Sequence, residues 1–162
     1  MAAGSADLWG AYTCRRLARD LEHSKGRLLT MLDRPQRRIK FVDCRVQDHG
    51  DRYEAKVALV DGDTPVDVTV ERPSGEGGIA WAAAEATVEA IRQAYGIEPD
   101  QVILKDVVSL EMDGRPAVAT SIVTTVGGER RSLFGLSGVV DSEGKAAALA
   151  VLGATNRFFR SG

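Results

Sequence analysis

The sequence predicts an α+β protein: duplicated βββα–βββα units forming a largely antiparallel sheet with helices on one face, preceded by an N-terminal amphipathic helix. Three observations predict it. The hydrophobic period changes from helical to alternating just after Pro35. Three alternating runs followed by an alanine-rich helical run then occur twice. Finally, sliding the chain on itself by about 63 residues places Val42-Asp43 over Lys105-Asp106, Arg52 over Arg115 and Leu59-Val60 over Ile122-Val123, as an internal duplication requires.

Residues 6–33 read as one helix. Cys14, Leu17, Leu21, Ser24, Leu28 and Met31 follow the spacing of a helix packed along a seam. Leu17, Leu21, Leu28 and Met31 are therefore the expected interface, within the subunit or with a second copy. After Pro35, Ile39–Asp48, Tyr53–Val60 and Pro65–Arg72 read as strands. In the second, Tyr53, Ala55, Val57 and Leu59 alternate with Glu54, Lys56 and Ala58, so one face is buried and the other wet. Asp48-His49-Gly50-Asp51 and Asp61-Gly62-Asp63 supply the turns. A glycine-rich loop, 73–78, leads to a helix over Ile79–Tyr95 whose alanines make a slim face, closed by Gly96. The order repeats with strands at Val102–Met112, Pro116–Val126 and Arg130–Val140, and a last helix at Glu143–Phe159 capped by Asp141 or Ser142. The division is a basic helix, 1–38, and a duplicated domain, 39–162, with repeats at about 39–96 and 102–159. The two repeats are expected to share a six-stranded sheet.

Composition excludes some classes of function. Hydrophobic residues make up 44% and charged residues 27%, which argues against wholesale disorder. Two cysteines, Cys14 and Cys44, are too few for a disulfide scaffold, and no apolar run reaches membrane-spanning length. Residues 1–7 lack the basic-then-apolar order of a signal peptide, so a cytoplasmic, membrane-free protein is expected. The formal net charge of −2 is uneven. Residues 1–40 carry nine basic and four acidic side chains, and the rest carry twelve and nineteen.

Residues with catalytic potential are sparse. His23 and His49 have no metal-ligand spacing with the cysteines, so no metal or cofactor is expected. Gly135-Leu136-Ser137-Gly138 fails the nucleophile-elbow pattern, because Val139 stands where the second glycine belongs. The turn acids Asp61, Asp63, Glu111 and Asp113 answer to backbone geometry. The loops that open the two helices are the ligand-binding candidates: Gly75, Gly77 and Gly78 in the first, Gly138, Asp141 and Ser142 in the second. Backbone N–H groups at a helix start can receive a carboxylate or phosphate. The same glycines also suit a tight turn, and both uses remain open.

Gly128-Glu-Arg-Arg-Ser-Leu-Phe-Gly-Leu-Ser-Gly-Val-Val-Asp141, followed by an alanine-rich helix ending Ala154-Thr155-Asn156-Arg157-Phe158, resembles the C-terminal regulatory domain of 2-isopropylmalate synthase and citramalate synthase. The likeness spans about residues 39–160, although Gly135-Leu-Ser-Gly138 departs from that family's uninterrupted G-x-G. It implies a pseudo-duplicated βββα fold, dimerisation and a small-molecule effector. It implies no condensation chemistry, because nothing in the sequence corresponds to the catalytic barrel of those enzymes.

Three functions follow as expectations. The first is a non-catalytic regulatory or assembly module, a homodimer that senses a metabolite or docks on a partner protein. The second is nucleic-acid binding through Arg15, Arg16, Arg19, Arg27, Arg34, Arg37, Arg38 and Lys40. The third is a small enzyme built on a polar cluster of Arg52, Glu54, Arg115 and Glu129.

Overall fold

Alternation and turn chemistry produce the strands where the sequence places them. The computed structural model of the chain describes residues 38–75, 77–126 and 128–160. In order these form β1 (Ile39–Asp48), β2 (Arg52–Asp61), β3 (Thr64–Pro73), α1 (Gly78–Tyr95), β4 (Val102–Met112), β5 (Arg115–Val126), β6 (Glu129–Gly138) and α2 (Glu143–Arg160). The expected helix 6–33, with Leu17, Leu21, Leu28 and Met31, lies outside the described residues. No described helix is long and apolar enough to cross a membrane.

The duplication extends to strand register. In the first repeat Ile39 pairs with Asp61 and Cys44 with Val57. In the second Val102 pairs with Thr124 and Val107 with Thr120, every partner 63 positions further on. Each first strand breaks register once, between Phe41 and Asp43 and between Leu104 and Asp106. At each break an aspartate carboxylate accepts the next residue's N–H, Asp43 from Cys44 and Asp106 from Val107, both at 2.9 Å. The tight turns also correspond: Gly50 (φ 88°) and Asp113 (φ 51°) hold the same left-handed position. A bulge bends its strand, so both sheets curve at the same place.

The inner face of each sheet carries a helix. Ala55, Val57 and Leu59 of β2, and Val118 and Ile122 of β5, are buried beneath the alanines of α1 and α2. The two helices also pack on each other, and each reaches the first strand of the other repeat. Those crossings are fixed by equivalent hydrogen bonds. The Arg92 guanidinium of α1 donates to the Val102 carbonyl at 3.0 Å, and the Asn156 amide of α2 donates to the Ile39 carbonyl at 3.1 Å. Gly144, in the first turn of α2, lies against Ile79 and Ala83 of α1, while Tyr95 and Phe159 stack at the other end with ring centroids 4.7 Å apart. The helices therefore run side by side in the same direction.

One feature of the sheet differs from expectation. The strands form two three-stranded antiparallel sheets, β1-β2-β3 and β4-β5-β6, rather than one sheet of six. Joining them would bring two strand edges within about 4.8 Å. Here the helices make the connection between repeats, and Pro65 and Pro73 leave β3 without two backbone donors at its ends.

Candidate functional site

The first helix-opening loop is occupied by its own side chains. Ser74 donates its hydroxyl to the Gly50 carbonyl at 2.6 Å and its N–H to the Asp51 carbonyl at 2.9 Å, which ties the loop to the β1–β2 turn. Gly77 has φ 80°, and a Cβ there would stand 1.9 Å from Cδ1 of Trp81. Only glycine fits, because the indole takes the space a side chain would need. The Arg72 guanidinium lies 4.8 Å from the Trp81 ring centroid and reaches Glu85 at 2.6 Å. That cation–π and charge pairing fixes the start of α1.

The second loop is closed in a different way. Val139 N–H donates to the Pro116 carbonyl at 2.8 Å. Ser142 caps α2, its hydroxyl accepting the Lys145 N–H at 3.2 Å. The Asp141 carboxylate pairs with the Lys145 ammonium at 2.9 Å and raises its pKa, chiefly through that hydrogen bond. Glu143 accepts a hydrogen bond from Ser109. Asp141 and Glu143 thus set two carboxylates around the N-terminus that an anionic ligand would have to approach.

The first turns of the two helices do meet, but through Gly144, Ile79 and Ala83, all apolar. Among the sequence candidates, Gly77 serves to seat Trp81, Ser142 is a cap and Asp141 is an exposed ion-pair partner. The polar residues of the enzyme expectation do not gather. Arg52 meets Asp51 and Glu71, each at 3.4 Å, Glu54 meets Lys56 at 2.8 Å, and Glu129 meets Arg131 at 2.9 Å. These are local surface pairs of small energetic weight. No group of three or more His, Cys, Asp or Glu among the described residues is placed to hold a metal. Of the basic arm, only Arg38 and Lys40 fall within the described residues.

Buried polar atoms mark the inside of the second sheet. Thr120 and Thr124 have hydroxyls with no hydrogen-bond partner, and at the position of β2 equivalent to Thr124, Asp61 has an unpartnered Oδ1. Cys44 is buried on the inner face of β1. Desolvation, assisted by the Asp43 charge, pushes its thiol up to about 11.

The outer faces of the two sheets differ between the repeats. On the first, the cross-strand row Arg45–Lys56–Thr69 and the neighbouring row Gln47–Glu54–Glu71 are polar throughout, and Arg45 pairs with Asp43 at 2.8 Å. The equivalent rows of the second sheet are Val108–Ala119–Leu136 and Leu110–Ala117–Gly138. The Asp67 position is taken by Phe134. Gly135 lies against the Ala150 carbonyl of α2, so Phe134 and Leu136 on either side of it point away from the core. This face was not among the sites expected from the sequence. Its signal was the apolar run Leu133-Phe134-Gly135-Leu136, where β3 alternates strictly in Val66-Asp67-Val68-Thr69-Val70. No protein-family model matches the chain, and no curated protein matches it either.

Proposed function

We propose that the chain is a non-catalytic assembly module of the regulatory-domain type, dimeric in its working state. The observation that carries this reading is the apolar outer face of the second sheet. Phe134 is 73% exposed and Leu136 52%, with Val108 and Met112 each nearly half exposed. Large apolar side chains exposed together on one sheet face are a feature of interaction surfaces. Among the described residues the charges are scattered and locally paired, and they gather into no polar cluster. Sedimentation velocity over a range from micromolar to millimolar concentration tests the proposal. A shift toward twice the chain mass is expected, and a monomer at every concentration refutes it.

A further inference from the structure

We infer that the occupant of this face is a second copy of the same chain, stacked face to face through the outer surface of β4-β5-β6. The inference rests on the assembly reading above and names its surface and partner. Its strongest support is the internal control that the duplication supplies. Both repeats have the same strand register and bulge, so folding alone does not require apolar side chains at these positions. The first repeat satisfies the same backbone with Arg45, Lys56, Asp67 and Thr69 where the second has Val108, Ala119, Phe134 and Leu136.

Charge, size and twist select a copy over an unrelated partner. The rows through Val108 and Leu110 contain no charge, so a charged partner finds no anchor there, whereas an identical apolar face is complementary to them by symmetry. The adjoining row is Asp106–Ser121–Phe134, where one Asp106 carboxylate oxygen is engaged by the Val107 N–H, and Arg115 stands opposite Met112 at the other end, so the charges lie at the margins of the face. With a net charge of −2 per chain, two copies repel weakly. The size is also adequate. Three strands about 4.8 Å apart and about 35 Å long present about 500 Å² per copy, and two copies cover about 1,000 Å², the lower bound for a specific interface. Both faces carry the same right-handed twist, so they stack as the aligned layers of a β-sandwich do.

The test compares the full-length wild type with Leu136→Glu, Val108→Lys and, on the first sheet, Thr69→Glu at the position equivalent to Leu136. Sedimentation velocity reads association, and circular dichroism with thermal melting confirms that each variant is folded. All three sites are outward-facing, so folding is expected to survive. Leu136→Glu and Val108→Lys should each weaken self-association by about 100-fold or more, because each buries an unpaired charge in the interface. Thr69→Glu should leave it unchanged. If the wild type dimerises and both face variants dimerise equally well, the face assignment is overturned while the assembly reading stands. A wild type that stays monomeric overturns both and leaves the face to a partner of another kind.

Discussion

Gly135→Ala is the most demanding test of how the second repeat is packed. An added Cβ would lie 1.9 Å from the carbonyl oxygen of Ala150, 2.6 Å from its carbon and 2.9 Å from the Thr120 hydroxyl. The threonine can rotate, but the carbonyl belongs to the backbone of α2 and moves only with the helix. Reaching an ordinary C···O contact of about 3.3 Å requires α2 to withdraw by about 1.4 Å. A gap of about 0.5–1 Å already forfeits a quarter to a half of each dispersion contact. The contacts at stake belong to Ala146, Ala147, Ala148, Ala150, Val151, Leu152, Ala154 and Thr155, all buried. Overpacking ordinarily costs about 1–3 kcal/mol. A backbone clash belongs at the top of that range, so the expected loss is about 3 kcal/mol. With a urea slope of about 2 kcal/mol per M, the unfolding midpoint falls by about 1.5 M. Gly138→Ala is the control, because no atom lies within 4 Å of its added Cβ, and it should be neutral. A Gly135→Ala midpoint within about 0.3 M of wild type would refute the close approach of α2 to β6.

The remaining predictions concern stability. Gly153→Ala should raise it by about 0.5–1 kcal/mol, because the site is helical and open, and alanine loses less backbone entropy there; an unchanged or lowered melting temperature refutes this. Thr124→Val should stabilise by about 1 kcal/mol in urea unfolding, since it removes a buried hydroxyl with no partner, and a destabilised variant would reveal a hydrogen bond the hydroxyl makes. Cys44 makes stability fall at alkaline pH. Its folded thiol titrates at about 11 against an ordinary value of 9.0, so above pH 9 the unfolded chain sheds a proton that the folded chain keeps. The stabilisation is complete below pH 9 and disappears as the pH reaches 11, at about 1.4 kcal/mol per pH unit in between. Cys44→Ala should lack this component, and identical pH profiles for the two proteins would exclude it.

The alternation in β2 identified its buried face correctly, because a period of two admits only one assignment once Ala55, Val57 and Leu59 are apolar and Glu54 and Lys56 charged. The same pattern could not say which strand edges meet. Alternation specifies the face a side chain takes and leaves lateral neighbours to tertiary docking, which is how one expected sheet became two. The reciprocal bonds of Arg92 and Asn156 were hidden for a related reason. Asn156 and the Ile39 carbonyl are 117 residues apart, and only the folded topology brings them together. At the helix-opening loops the sequence located the glycines and not their use: Gly77 accommodates Trp81, four positions further along the chain. Here an aromatic residue close after the glycine was the available sign.

The duplicated fold separates what folding needs from what it merely tolerates. Several inward positions keep small or aliphatic character in both repeats, Ala55 with Val118, Leu59 with Ile122 and Cys44 with Val107, while Val57 gives way to Thr120 and Asp61 to Thr124. The aspartate at each bulge and the helix-to-strand bond across the repeats also recur. Along the two rows through Val108 and Leu110, and at Phe134, outward positions change from polar or charged to small or apolar with no change in register. A buried phenylalanine or leucine contributes about 1.5–3 kcal/mol, and Phe134 and Leu136, exposed in the single chain, gain little of that. An exposed β-sheet face of this kind is an aggregation hazard when nothing covers it, and the first repeat demonstrates that a charged face would have served the monomer. The apolar face therefore gains its stabilising energy only when covered, and the second copy proposed above would cover it with a face of the same size and apolar character.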